Sequence, residues 1–353
     1  MSLLLFLVGA VFLYYLYVSY SVKPPKQNER TGSFQKVSQG SKQKLSLMFK
    51  AFLNGLDGQF SDYGNGKPDP FVFRSFVDRF QTFEDVTNAM RDAGVDQCQV
   101  IIGIDFTASN EWQGRTTNHG FSLHNVTSKS YHNPYLRVIT VLKHTLKDLV
   151  YGHGLHDGMS QLQSRKQKSQ IHAFGFGDSI TKDQKTFTLR KDGLPCQHFD
   201  DVLASYRECA TRIVLGGPTS YAPVIYKAIN IVEHTKQFHL LVIIADGQFV
   251  DEEPTAKAIV AASFFPLSIV VVGVGDGPWD ILHSFDDWLP QRQFDNFQFV
   301  EYTNVLKDNS SKSVEASLAL QILMEVPDQY KMVERLGYID KIKELSELKA
   351  LVT

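Results

Sequence analysis

Cysteine is scarce in this chain: Cys98, Cys196 and Cys209 are the whole supply in 353 residues. Three scattered thiols exclude a disulfide framework and any RING or zinc-ribbon module, which need paired ligands. Net charge is also missing, since 36 basic side chains face 38 acidic ones for a total of −2. Without a basic field for a phosphate backbone, the composition argues against nucleic acid as a partner. No internal repeat and no G-x-S-x-G elbow occur. The runs GFGDS and GVGDGPW lack the lysine of a phosphate loop, so they read as tight turns that end strands. His119, His124, His132, His153, His156 and His172 fall at irregular spacings, which suits surface or locally hydrogen-bonded roles better than a metal site. No nucleotide-binding signature accompanies them, and no small-molecule substrate is expected.

What is present begins with an apolar run. Leu3 to Val22 carries no charge, and about 20 such residues span a hydrocarbon core of about 30 Å. Tyr14, Tyr15, Tyr17 and Tyr20 crowd its second half, and Lys23, Lys26 and Arg30 follow. A cleaved signal peptide is the competing reading, but it normally has a basic start and a shorter core. The pattern favours an uncleaved transmembrane anchor over residues 1–22, with the following basic residues placing the remainder of a single-pass protein on the cytoplasmic side. Ser2 stands where N-myristoylation requires glycine. Residues 23–62 read as a polar linker containing a short helix around Leu45 to Leu56, and residues 338–353 as a C-terminal tail.

Between them the chain alternates. QVIIGIDF (Gln99 to Phe106), IHAFGFGD (Ile171 to Asp178), HLLVIIADG (His239 to Gly247) and LSIVVVGVGDG (Leu267 to Gly277) are continuous Val- and Ile-rich runs, as strands buried on both faces should be. FQFVEY (Phe297 to Tyr302) supplies a last strand. Helical patterns cover Pro134 to Val150, Phe199 to Ala210, Ala222 to His234, Pro254 to Ser263 and Ser313 to Glu325. An earlier helix has Thr82 as N-cap, Asp85 in the capping-box position and Gly94 as its stop. The expected fold class is therefore α/β: a doubly wound, mostly parallel sheet flanked by helices, Rossmann-type.

In such sheets ligands sit beyond the carboxyl ends of the strands. There the sequence places Asp105, Thr107 and Ser109 after the first strand, Thr219 in the loop GGPTS, and Asp246 in VIIADG. The set offers oxygen alone, which suits a hard divalent cation. The competing reading makes Asp105 and Asp246 mere caps of turns or helices.

These five positions resemble the metal-ion-dependent adhesion site of von Willebrand factor A domains. The runs GIDFTASNEW, NPY (Asn133 to Tyr135), FGFGD, GPTSYAP, VIIADG, PLSIVVVGVGDGPWD, FDNFQFV and MEVPDQY resemble the copine-type A domain, nearest to the form found in plant RING-type ubiquitin ligases. The resemblance covers residues 63–337. It implies that Thr107, Ser109 and Thr219 give oxygens to the ion, with Asp105 and Asp246 acting directly or through water. The cation would be Mg²⁺, with Mn²⁺ or Ca²⁺ as alternatives, and a carboxylate of a protein partner would complete its shell. Two departures matter. No cysteine follows Cys209, so a RING and its ligase activity are not expected, and no acidic loops of a C2 domain precede the resemblance. The expected function is a membrane-anchored, cation-dependent protein-binding module, not an enzyme. A scaffold subunit with a structural or vestigial ion site is the alternative, and metal-assisted phosphoryl transfer a remote third.

Overall fold

Unbroken Val/Ile runs form strands only where helices cover both faces, and this requirement explains the architecture. In the computed structural model the described residues are 80–93, 95, 98–127, 133–151, 170–247, 249, 251–287, 289, 292–307 and 313–339. The expected anchor, the linker with its short helix and most of the tail lie outside them. Among the described residues no helix is long and apolar enough to cross a membrane.

The chain enters through α1 (Phe83–Asp92), opened by the expected capping box: Asp85 N donates to Thr82 Oγ1 and Thr82 N to Asp85 Oδ2, both at 3.1 Å. β1 (Gln99–Asp105) follows, then a 3₁₀ turn (Ala108–Glu111) and α2 (Pro134–Tyr151). β2 (His172–Phe176), β3 (Thr186–Thr188), α3 (Phe199–Arg212) and α4 (Ala222–Thr235) lead to β4 (His239–Ala245). After it come α5 (Glu252–Ala262), β5 (Leu267–Gly273), α6 (Asp280–Asp287) and β6 (Phe297–Glu301). Three helices close the unit: α7 (Tyr302–Lys307), α8 (Val314–Leu323) and α9 (Val326–Arg335).

The sheet order is β3-β2-β1-β4-β5-β6, parallel throughout except that β3 runs antiparallel to β2. β3 is an element the periodicity did not announce, because three residues are too few to show an alternation. On one face Val100, Ile102 and Ile104 of β1 and Val242 and Ile244 of β4 join a core with α2 and α3. On the other, α4 presses so close that a Cβ on Gly103 would stand 2.9 Å from Val224 Cγ2.

Helix boundaries differ from the expected ones where caps decide. α5 starts ahead of Pro254 because the Asp251 carboxylate accepts from Glu253 N at 3.1 Å, and a proline is tolerated in a first turn that needs no N–H. The single closing helix expected to Glu325 is two helices, with Pro327 in the first turn of the second.

The chain winds outward from β1 toward β2 and β3, and from β4 toward β5 and β6. Its lateral direction therefore reverses between β1 and β4. There α2 leaves on one face and α5 on the other, which makes the carboxyl ends of the two central strands the switch point where crevices form in doubly wound sheets.

Candidate metal centre

β1 ends at that switch point on Asp105, and β4 delivers Asp246 one residue past its last member. Both side chains are completely buried. Asp105 Oδ1 folds back to accept from Thr107 N at 2.8 Å, and the 3₁₀ turn then brings the Ser109 hydroxyl to 2.9 Å from that of Thr107. Asp246 faces Asp105 and Ser109. Asp105 Oδ2 and both carboxylate oxygens of Asp246 find no hydrogen-bond partner.

Two buried carboxylates with three idle oxygens are unfavourable unless something positive balances them. Burial pushes the Asp105 carboxyl up to about 6, against the pull of the Thr107 hydrogen bonds. Asp246 is raised further, first by burial and then by the charge of Asp105. The groups acting on the pair are hydroxyls, backbone amides and each other. Among the described residues no three His, Cys, Asp or Glu side chains converge. An oxygen-only set with two carboxylates and adjacent hydroxyls fits a hard divalent cation, and Asp105, Thr107, Ser109 and Asp246 are the residues able to hold it.

Thr219 is placed by a different segment. Gly216 pairs with Thr107, its carbonyl accepting from Ala108 N at 2.7 Å and its N–H donating to Phe106 O at 3.2 Å. This stitch carries the loop with Thr219, three residues on, to the same strand end. Thr219 is half-buried and lines a cleft of about 780 Å³ with Ser220 and Tyr226. The four other candidates are close to one another, whereas Thr219 stands three residues beyond the Gly216–Thr107 pairing and lines the neighbouring cleft. Gly177 completes the wall at φ +79°, and a Cβ there would lie 2.4 Å from Thr107 Cγ2 and 3.3 Å from Asp105 Oδ1. GFGD and GVGDG do end strands as turns, with Gly177, Gly275 and Gly277 at positive φ.

Beneath the site lies a polar network that sequence reasoning missed. Asn110, next to Ser109, donates Nδ2 to Thr107 O at 3.0 Å and accepts from Tyr135 OH at 2.7 Å. His124 Nε2 meets Asp105 O at 2.8 Å and its Nδ1 meets Tyr206 OH at 2.9 Å. A carbonyl only accepts, so His124 carries its proton on Nε2 and Tyr206 donates to Nδ1. Asn133 Nδ2 in turn donates to Tyr206 OH at 3.1 Å. Burial lowers the His124 pKa to about 4, keeping the ring neutral. His124 stacks on Phe106 and Tyr135, with centroids 4.6 and 4.3 Å away. It is a locally bonded histidine, as its spacing suggested, but a core one. The signal available in the sequence was NPY: Asn133 caps α2 by accepting from Leu136 N at 2.9 Å, Pro134 begins the helix and Tyr135 points its hydroxyl at the Asp105 turn.

Comparison with known proteins places the chain in a family. Residues 122–342 match the copine family. The E3 ubiquitin-protein ligase RGLG4 of Arabidopsis thaliana is 42% identical over 278 residues, covering 75% of this chain and 65% of that protein. Copine family protein 1 of Caenorhabditis elegans is 41% identical over 261 residues, covering 74% of this chain and 22% of that protein. The chain thus spans less than two thirds of either relative. Among solved structures, a von Willebrand factor type A protein from Catenulispora acidiphila aligns distantly, at 12% identity and a TM-score of 0.36 over 67% of this chain and 43% of that one. On its match over residues 122–342 and its identity to these relatives, the chain belongs to the copine family.

Proposed function

We propose that this copine-family chain is a divalent-cation-dependent protein-binding module, held at a membrane by its N-terminal apolar segment with the A-type domain facing the cytoplasm. The observation that carries the reading is the pair Asp105 and Asp246: fully buried, mutually repelling and left with three unbonded oxygens beside two hydroxyls at the switch point of the sheet. Asp105, Thr107, Ser109 and Asp246 would hold the ion, with Thr219 completing the protein's share from its loop. Mg²⁺ suits the donor set, and Mn²⁺ or Ca²⁺ accepts the same oxygens. A bound ion supplies concentrated positive charge that a partner's Asp or Glu can ligate in a partly desolvated place.

The residues around the ion do the positioning. Thr107 N fixes one Asp105 oxygen, Asn110 holds the turn from below and Gly177 leaves room for the Thr107 methyl. Nucleophilic catalysis has no support: all three cysteines are buried, and burial raises the Cys98 and Cys196 thiols to about 12 and about 11. The ligase activity named in the relatives is not proposed for this chain, whose three cysteines fall short of a RING ligand set.

The test uses the full chain in detergent with Mg²⁺, followed by affinity capture of partners with and without EDTA. Asp105→Ala and Thr219→Ala should abolish capture and keep the fold, and unchanged capture by both variants would refute the reading. The network tying the Asp105 carbonyl into the core favours one other role, a scaffold whose ion is structural. In that case EDTA would lower the melting temperature while captured partners stayed bound.

A further inference from the structure

Large apolar side chains rarely stay exposed in clusters unless something covers them. Among the described residues six stand out: Trp112, Phe121, Ile180, Leu194, Val214 and Tyr226. Four of them sit on segments whose backbones are joined to the candidate ion site. Trp112 is 48% exposed and donates its N–H to Ser109 O at 2.9 Å. Phe121, 54% exposed, ends an excursion that returns at Leu123, whose N–H donates to Asn110 O at 2.9 Å. Ile180, 86% exposed, comes three residues after Gly177, whose α-carbon lies against Thr107. Val214, 68% exposed, accepts from Ser179 N at 2.9 Å and precedes Gly216, the partner of Thr107. Each side chain is thus tied through its backbone to the turn that carries Asp105, Thr107 and Ser109.

We propose that these four side chains form an apolar collar that selects a protein partner whose acidic residue is flanked by bulky apolar ones. The inference rests on the ion-dependent reading above and gives its partner a chemistry. The carboxylate meets the ion at the centre and is drawn there by charge. Its neighbours in sequence cover Trp112, Phe121, Ile180 and Val214. Apolar contacts around a polar one exclude water from it, and a charge-assisted contact gains strength where water is kept out. A bilayer is the poorer occupant. The charged groups on the same loops, Glu111, Asp178 and Asp183 against Arg115, Lys182 and Lys185, cancel, whereas anionic lipid attracts surfaces with excess basic charge. Leu194 provides an internal control. It lies near Cys196, which bridges to Ile171 ahead of β2, at the other end of the sheet.

The experiment measures fluorescence anisotropy of labelled nonapeptides on the full chain in detergent with Mg²⁺. The peptides carry a central Glu flanked by Leu and Phe, the same Glu flanked by Ser, or Gln in its place. Apolar flanks should tighten binding at least about tenfold over Ser flanks, since one interface anchor is worth about that factor. Trp112→Ser and Ile180→Ser should each weaken the apolar-flanked peptide about tenfold, leave the Mg²⁺-induced rise in melting temperature intact, and differ from Leu194→Ser, which should change nothing. Equal binding of Ser- and Leu/Phe-flanked peptides, with the Mg²⁺ effect present, would overturn the collar and spare the ion site. No Mg²⁺ effect on the wild-type chain would overturn both. Sedimentation with phosphatidylcholine/phosphatidylserine vesicles that is lost in Trp112→Ser, with no peptide binding, would assign the collar to a membrane and overturn the proposal.

Discussion

Asp246→Asn should stabilise the metal-free protein, the reverse of what altering a buried polar residue usually does. The native pair buries two carboxylates that face each other, and three of their oxygens are unbonded. Asp105 is raised from an ordinary 3.8 to about 6. A carboxyl raised on folding contributes its full stability below the unfolded value and loses it as the pH climbs through the folded one, so above about pH 6 the whole penalty is in force. That cost is mainly the burial of Asp105 itself and stays when Asp246 is changed; what the substitution removes is the charge of Asp246, which burial first and the charge of Asp105 second both disfavour. Asparagine is nearly isosteric, carries no charge and offers an N–H to the idle Asp105 oxygen, and a hydrogen bond to a buried charge is worth ~2–3 kcal/mol, which should return. For a domain of this size that is roughly 5–10 °C in melting temperature. Calorimetry at pH 7.5 in EDTA reads it directly. In Mg²⁺ the order should narrow or invert, because an ion at 100 times its Kd stabilises the wild type by ~2.7 kcal/mol and the variant by much less. A variant that melts lower than wild type in EDTA, or one that gains as much from Mg²⁺, would refute the reasoning.

Further outcomes follow from the same geometry. Gly177→Ala forces a Cβ to within 2.4 Å of Thr107 Cγ2 at φ +79°, so it should lower stability by ~1–3 kcal/mol in urea titrations and weaken the Mg²⁺ effect by displacing Thr107. His124→Phe keeps a ring against Phe106 but leaves Tyr206 OH without its acceptor and Asp105 O without its nearest side-chain donor, and a loss of ~1–3 kcal/mol is expected by the same titration. His239, at the start of β4, has its pKa lowered to about 4, mainly by burial, so the unfolded chain takes up its proton first as pH falls. The His239 share of stability should be full above about pH 6.5 and fall by up to ~3 kcal/mol toward pH 4, opposite in sign to the Asp105 share, and the difference between wild type and His239→Gln in urea midpoints across the range should trace that share.

The fold was legible wherever one physical demand governed a long stretch. β1, β4 and β5 are unbroken apolar runs, and burial on both faces is the single condition that produces them, so their positions and parallel pairing could be read from hydrophobicity alone. Thr82 and Asp85 were legible as a capping box because both partners lie within one turn. Helix ends were less so. Asp251 starts α5 ahead of Pro254 by a contact to Glu253 N that no periodicity encodes, and β3 exists because β2 offers Phe176 an antiparallel partner in Thr186. Trp112 and Trp279 could not be told apart in sequence: the second is buried against Gly273 and Phe299, the first stands on the rim.

The site divides along the same line. Asp105, Thr107 and Ser109 announce themselves because a strand end and alternate hydroxyls are local facts, and Asp246 does so because Asp-Gly ends another buried strand. The layer that holds them is non-local: Tyr135 reaches Asn110 across 25 residues and Tyr206 reaches His124 across 82. Its composition carries the last step. His124 is held neutral, and Asn110, Asn133, Tyr135 and Tyr206 bear no charge, so the support beneath Asp105 fixes its backbone without neutralising its carboxylate. A buried lysine in this layer would have balanced the pair and removed the demand for a cation. Because the support is polar but uncharged, the pair is left to be relieved by a proton or, in the proposed reading, by a cation that a partner's carboxylate would then ligate.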